Sequence, residues 1–152
     1  MLYRTVCCMV VFLMFSCQTP PAPKEIAKPS VEFLTSENAV YPFSEAVRVG
    51  DLLILSGQIG TDPATGKLVE GGVEAETRQT MENIRNVLEK YGSSMSNVVK
   101  CTVMMEDMAE WPKMNEVYAG YFPDHFPARS AFGADGLALG ARLEIEAWAV
   151  ME

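Results

Sequence analysis

An α+β fold, with a mixed sheet covered on one face by two helices, is the architecture that this chain of 152 residues predicts. Three observations carry the prediction. Met81, Ile84, Leu88 and Tyr91 recur at the 3-4-3 spacing of a single buried helix face, and Met114, Val117, Tyr118 and Tyr121 give a second helix its apolar face further on. Residues 143–150 instead alternate at period two, with Leu143, Ile145, Ala147 and Ala149 on one face and Glu144, Glu146, Trp148 and Val150 on the other. About half of the residues (49%) are apolar, enough for one domain of ordinary size to bury a core.

The elements follow in order. Residues 45–49 and 52–56 form a β-hairpin that turns at Gly50-Asp51. Residues 57–72 read as a loop, with turn chemistry at Asp62-Pro63 and Thr65-Gly66. The first helix spans 73–91 and is closed by Gly92. A strand over 97–108 runs through Val99, Cys101, Val103 and Met105. Trp111-Pro112 then fits the first turn of the second helix, where Pro costs no hydrogen bond, and Pro123 stops it. Residues 128–134 and 143–150 are the last strands. The order is β-β-α-β-α-β-β, for which two packed layers are the natural solution. Trp148 and Val150 leave the second sheet face partly apolar, and a self-assembled oligomer is the economical way to bury it.

The N-terminus reads differently. Arg4 and the apolar run 6–15 have the form of a secretory signal, far short of the ~20 residues a membrane-spanning helix needs. The run ends in Met14-Phe15-Ser16-Cys17, which resembles a bacterial lipobox. The reading is a signal peptide over 1–16, lipid on Cys17, a Pro-containing tether to residue 30 and a domain over 31–152; an ordinary secretory signal cleaved nearby, or an uncleaved anchor, is the other reading. It implies an exported protein of a bacterial cell envelope, touching membrane through its anchor only. Cys7 and Cys8 fall in the signal, so Cys101 is the domain's single cysteine and no disulfide forms inside it.

The formal charge of −8 argues against nucleic acid as a partner, as does the lack of any Lys/Arg cluster, because phosphate neutralisation supplies most of such affinity. One His and one domain Cys are too few for a conventional metal site. His125 reads as a surface residue and Cys101 as core. Arg129 is the only cation of the weakly polar stretch 126–134, where an unpaired charge is costly to bury. It predicts a pocket in which the planar guanidinium waits for a carboxylate, with Glu144 as the nearest acid/base partner.

Several short motifs, in order, resemble the YjgF/RidA family of enamine/imine deaminases over residues 36–150. They are Pro42-Phe43-Ser44-Glu45-Ala46, Ser56-Gly57-Gln58-Ile59-Gly60, Thr65-Gly66-Lys67-Leu68-Val69, Val98-Val99-Lys100, Asn115-Glu116-Val117-Tyr118, Phe126-Pro127-Ala128-Arg129-Ser130 and Glu144-Ile145-Glu146-Ala147. The resemblance implies a chorismate-mutase-like fold. It also implies a homotrimer whose clefts lie between subunits and are lined by residues of two chains. The implied reaction is cofactor-free hydrolysis of 2-enamine and 2-imine acids to 2-keto acids and ammonia, as when 2-aminoacrylate, through 2-iminopropanoate, gives pyruvate.

Carried over residue by residue, the resemblance gives Arg129 the substrate carboxylate. Glu144 becomes the residue that positions and deprotonates water. Ser56, Gly57, Phe43, Asn115 and Ala131 become substrate-binding positions. Glu146 would point the same way as Glu144 at period two, and composition does not separate them. Ala131 stands where several relatives have Cys. Phe43 stands where the family commonly has Tyr, so a cleft hydroxyl is missing, and Glu45, where relatives often have Gln, would disfavour an anionic substrate if it faced the cleft. The competing readings are a trimeric module that binds small carboxylates or carbonyl compounds without turnover and, disfavoured by charge, a ribonuclease.

Overall fold

A computed structural model describes residues 28–36 and 41–152. The signal, the lipobox with Cys17 and the tether up to residue 27 lie outside the described residues. Within them the chain forms one mixed sheet of seven strands. These are β1 (Val31–Leu34), β2 (Ala46–Val49), β3 (Leu52–Leu55), β4 (Gln58–Ile59), β5 (Val98–Met105), β6 (Ala128–Gly133) and β7 (Leu143–Val150). The spatial order is β1-β2-β3-β7-β5-β6, with β4 pairing onto β7 beside β3. Only β5 and β6 run parallel, and they are joined by α2 (Trp111–Ala119); α1 (Gly72–Lys90) precedes β5.

The helix spacing and strand alternation fall where the pattern puts them. Met81, Ile84 and Leu88 of α1 are fully buried, as are Leu143, Ile145, Ala147 and Ala149 of β7. Leu53, Leu55, Cys101, Val103, Met105 and Met114 complete the core between helices and sheet. Burying a side chain of Leu or Met size contributes roughly 1.5–3 kcal/mol, so this single layer of contacts dominates the stability of the fold. Gly92 ends α1 in the left-handed region (φ 81°). Its N–H donates to Glu89 O and that of Ser93 donates to Leu88 O at 2.9 Å, the paired bonds of a Schellman cap. Asp107 Oδ1 accepts from Ala109 N at 2.8 Å and opens the turn into α2, whose first turn holds Pro112.

Three features correct the sequence reading. β1 adds an edge strand antiparallel to β2; at four residues, with no clear alternation and beside the tether, it carries little periodic signal. β4 is a two-residue strand inside the stretch read as loop, held by β7 rather than by its own pattern. The register shift between Val98 and Lys100 turns Val98 inward and leaves Val99 exposed, so the strand's inner face is Val98, Cys101, Val103 and Met105. A bulge moves one residue across the sheet without changing the composition of the strand. The outer sheet face carries Phe33, Phe132, Trp148 and Val150, all exposed.

Candidate functional site

The predicted site residues fall into two separate groups. The first is a cleft of about 600 Å³ lined by Tyr41, Phe43, Glu45, Gly57, Gln58, Ile59, Leu139 and Glu144, among others. Glu144 is on β7, opposite Ile59 of β4 and Met104 of β5. Gly57 lies directly over its carboxylate, and a methyl group at that position would collide with Glu144 Oε1. This close approach is the physical reason for glycine at position 57. Among the described residues no cation pairs with Glu144, and burial alone pushes its carboxyl above the ordinary value. Glu146, two residues on, instead accepts a hydrogen bond from Trp148 Nε1 on the open face. The structure therefore separates the two acids that period-two spacing could not.

Glu45 reaches the cleft but not as a free charge. Lys90 Nζ donates to it at 2.6 Å and the Tyr91 hydroxyl donates to the same oxygen. Burial raises its pKa, but the Lys90 and Tyr91 hydrogen bonds and the Lys90 charge outweigh that and hold it below the ordinary value. The penalty against an anionic substrate that Glu45 suggested is thus largely offset by Lys90. Phe43 stacks on Tyr41, centroids 5.6 Å apart and planes within 7°, so a phenol does line the cleft, from two positions earlier.

The segment that lines the cleft is braced from behind by α1. Asn83 Nδ2 donates to Ile59 O (3.0 Å) and Thr61 O (2.9 Å), while its Oδ1 accepts from Gln79. Gly60 lets the chain press against the Glu76 backbone, 2.8 Å from where a Cβ would stand. Glu76, buried, accepts from the Arg142 backbone N–H at 2.8 Å, and the Arg142 guanidinium bridges to both oxygens of Glu110. These ties fix the entry of β7 and hence Glu144. Nothing in the spacing of Asn83 or Glu76 marks them; each looks like a helix-surface residue until the loop is seen to fold back on it.

The second group surrounds Arg129. Its guanidinium lies over the rings of Tyr118 (4.7 Å) and Trp111 (5.4 Å) of α2. Among the described residues no carboxylate pairs with it. Asn115 is half-buried on the same helical stripe, four residues after Trp111 and three before Tyr118. Ala131 follows Arg129 on the same face of β6, opposite Val103 of β5. Arg129 pairs with inward-facing Cys101, whereas Glu144 pairs with Met104 on the outer face. The two predicted charges therefore leave opposite faces of one sheet. Ser56 belongs to neither group: its hydroxyl donates to Ser44 O at 2.7 Å and locks the end of β3. His125 is exposed beside a smaller cavity of about 300 Å³, with Arg85 and Tyr121.

Cys101 is fully buried, and its thiol pKa is raised chiefly by that burial, so it is core rather than nucleophile. Among the described residues no His, Cys, Asp and Glu group is arranged to hold a metal.

Fold and site thus define an α+β protein in which a mixed sheet, covered by two helices, carries a cleft at Glu144. The family described as endoribonuclease L-PSP matches residues 34–151. The chain is 44% identical over 112 residues to human 2-iminobutanoate/2-iminopropanoate deaminase, covering 74% of this chain and 82% of that one. A putative endoribonuclease from Thermotoga maritima superposes with a TM-score of 0.74 at 43% identity, over 80% of this chain and 98% of that one. TdcF of E. coli with bound serine gives 0.71 at 29%, over 84% and 100%. The chain belongs to the YjgF/RidA family, also called endoribonuclease L-PSP.

Proposed function

We propose that this protein hydrolyses reactive 2-enamine and 2-imine acids to 2-keto acids and ammonia. The observation that carries the reading is Glu144, an unpaired carboxylate desolvated in a cleft in a relative of a named imine deaminase. Its raised pKa suits a base that takes a proton from water and returns it to nitrogen. Water adds to the imine carbon, Glu144 accepts the proton, and the carbinolamine collapses with loss of ammonia and formation of the carbonyl. Arg129 grips the substrate carboxylate through its fork; its lack of a carboxylate partner and its seat on two aromatic rings leave it preorganised for that task.

Because Arg129 and Glu144 leave opposite faces of one chain, the reading includes a homotrimer in which Arg129 of one subunit meets the Glu144 cleft of its neighbour. The apolar outer sheet face, with Phe132, Trp148 and Val150 exposed, supports burial against further copies. The signal and lipobox of the sequence add an exported, lipid-anchored location, tested by lipid labelling that disappears in Cys17→Ala.

The decisive experiment follows ammonia release from the imines of alanine and of 2-aminobutanoate, made in situ by an amino-acid oxidase, with the full chain and its Arg129→Ala variant. The expected result is acceleration by the parent and at least ~10²-fold less by the variant, the scale of lost substrate positioning. No acceleration by a folded parent overturns the reading. It would favour the second one, a binding module for small carboxylates, for which the serine bound to TdcF is the supporting observation. A ribonuclease role draws no support from a cleft that carries two carboxylates in a chain of charge −8.

A further inference from the structure

Resting on the deaminase reading, we infer that Trp111 is a positioning residue: with Tyr118 it restrains the Arg129 guanidinium and so sets the affinity for the substrate carboxylate. The contacts that carry this lie within one chain and do not depend on what a neighbouring subunit places opposite. Trp111 opens α2, and Tyr118 stands seven residues on, two turns along the same stripe. Arg129 projects from β6 on the inner side of the sheet, in register with buried Cys101 of β5. Its Cζ lies 5.4 Å from the Trp111 ring centre and 4.7 Å from that of Tyr118, both within reach of an attractive cation–π contact. The rings are themselves held. Tyr118 is buried and packs on Phe122, ring centres 4.9 Å apart, and half-buried Trp111 packs against the core.

A ring partner differs from a carboxylate partner in what it consumes. A carboxylate would occupy the N–H groups of the guanidinium fork. A ring face offers no lone pair to them; it supports the charge and leaves the fork to an incoming anion. Among the described residues no carboxylate pairs with Arg129, and two rings stand in that place. A long Arg side chain otherwise gives up rotamer freedom when it grips an anion, and fixed rings remove part of that cost beforehand. The carboxylate is held alike before and during hydrolysis, so the contribution falls on KM rather than on kcat.

The test measures kcat and KM for the imine of alanine, made by the same oxidase, in the full chain, Trp111→Leu and Trp111→Phe. Trp111→Leu is expected to raise KM about tenfold with kcat nearly unchanged, and Trp111→Phe, which restores a ring, to recover most of the loss. A second measurement leaves the packing alone. The chain has two tryptophans, so in Trp148→Phe fluorinated tryptophan labels Trp111 only. Fluorine drains the ring face of charge at nearly constant shape. KM is expected to rise with the number of fluorines while kcat and the melting temperature hold. Should Trp111→Leu not fold, the fluorinated chain decides alone. A KM that fluorination leaves unchanged, or a folded Trp111→Leu that loses kcat only, overturns the inference while leaving the deaminase reading intact. If the folded parent turns over no imine, the deaminase reading falls, and calorimetry with pyruvate decides. Binding weakened by fluorination upholds the role of Trp111 in holding a carboxylate; unchanged or absent binding overturns it.

Discussion

Glu144 and Arg129 are both half-buried charges on neighbouring parts of one sheet, yet their surroundings are opposites. Glu144 sits beneath the Gly57 backbone, with burial raising its pKa and no cation to offset it. Arg129 lies across Trp111 and Tyr118, its charge supported by ring faces. One group is a carboxyl raised by burial; the other is a planar fork stacked on two rings. By contrast, Glu45 and Glu76 are both satisfied, by Lys90 and Tyr91 and by Arg142. The chain thus partners its structural acids and leaves unpartnered the two charges that a carboxylate-bearing imine and its water would need.

The largest way to break this comparison is Glu144→Gln. Loss of the base should lower kcat by ~10²–10⁴-fold while KM stays nearly constant, because the Arg129 side is untouched. Stopped assays of ammonia release with the purified variant check this. The comparison is sharpened by mixing: Arg129→Ala and Glu144→Gln chains, each inactive, should regain activity when unfolded and refolded together. In an equal mixture of trimers about a quarter of the clefts would combine an intact Arg129 with an intact Glu144. No recovery in verified mixed trimers would mean that both charges act within one chain.

A smaller effect is expected at the wall. Asn83→Ala leaves the Ile59 and Thr61 carbonyls without their donor and should cost ~1–3 kcal/mol in urea unfolding, with activity lost through misplacement of β4. The smallest effect concerns stability and pH. Burial makes the folded protein hold the Glu144 proton more tightly than the unfolded chain does. Ionising it therefore drains stability as pH rises from the ordinary Glu value, about 4.3, through the raised folded value. Glu144→Gln should melt slightly higher than the parent at about pH 7, and the gap should close as the pH approaches 4. A variant that melts lower at neutral pH would place a favourable partner on the carboxylate that the described residues do not supply.

Most of the fold was legible because it is written at short range. The helix face of Met81, Ile84 and Leu88, the alternation of Leu143 to Val150, the turn at Gly50-Asp51 and the cap at Gly92 depend on residues a few positions apart. The bulge at Val98/Lys100 and the strand β4 were not legible, since both are imposed by the partner strand β7. The candidate site divides in the same way. Arg129 stood out as a lone cation in a weakly polar stretch and Glu144 through its motif, but Tyr41, Asn83 and Leu139 carried no signal of their own.

The sequence by itself determined the two helices and the longer strands, the buried faces of α1 and β7, the family and the two charged residues on which the proposed chemistry rests. Only the tertiary structure decided that Glu144 lies beneath Gly57 in the cleft while Glu146 is bonded to Trp148, that Lys90 neutralises Glu45 across 45 positions, and that Arg129 and Glu144 leave opposite faces of the sheet. Periodicity is a property of neighbours along the chain. Desolvation, ion pairing and the side of a sheet from which two different strands project are set by segments that meet only when the chain is folded.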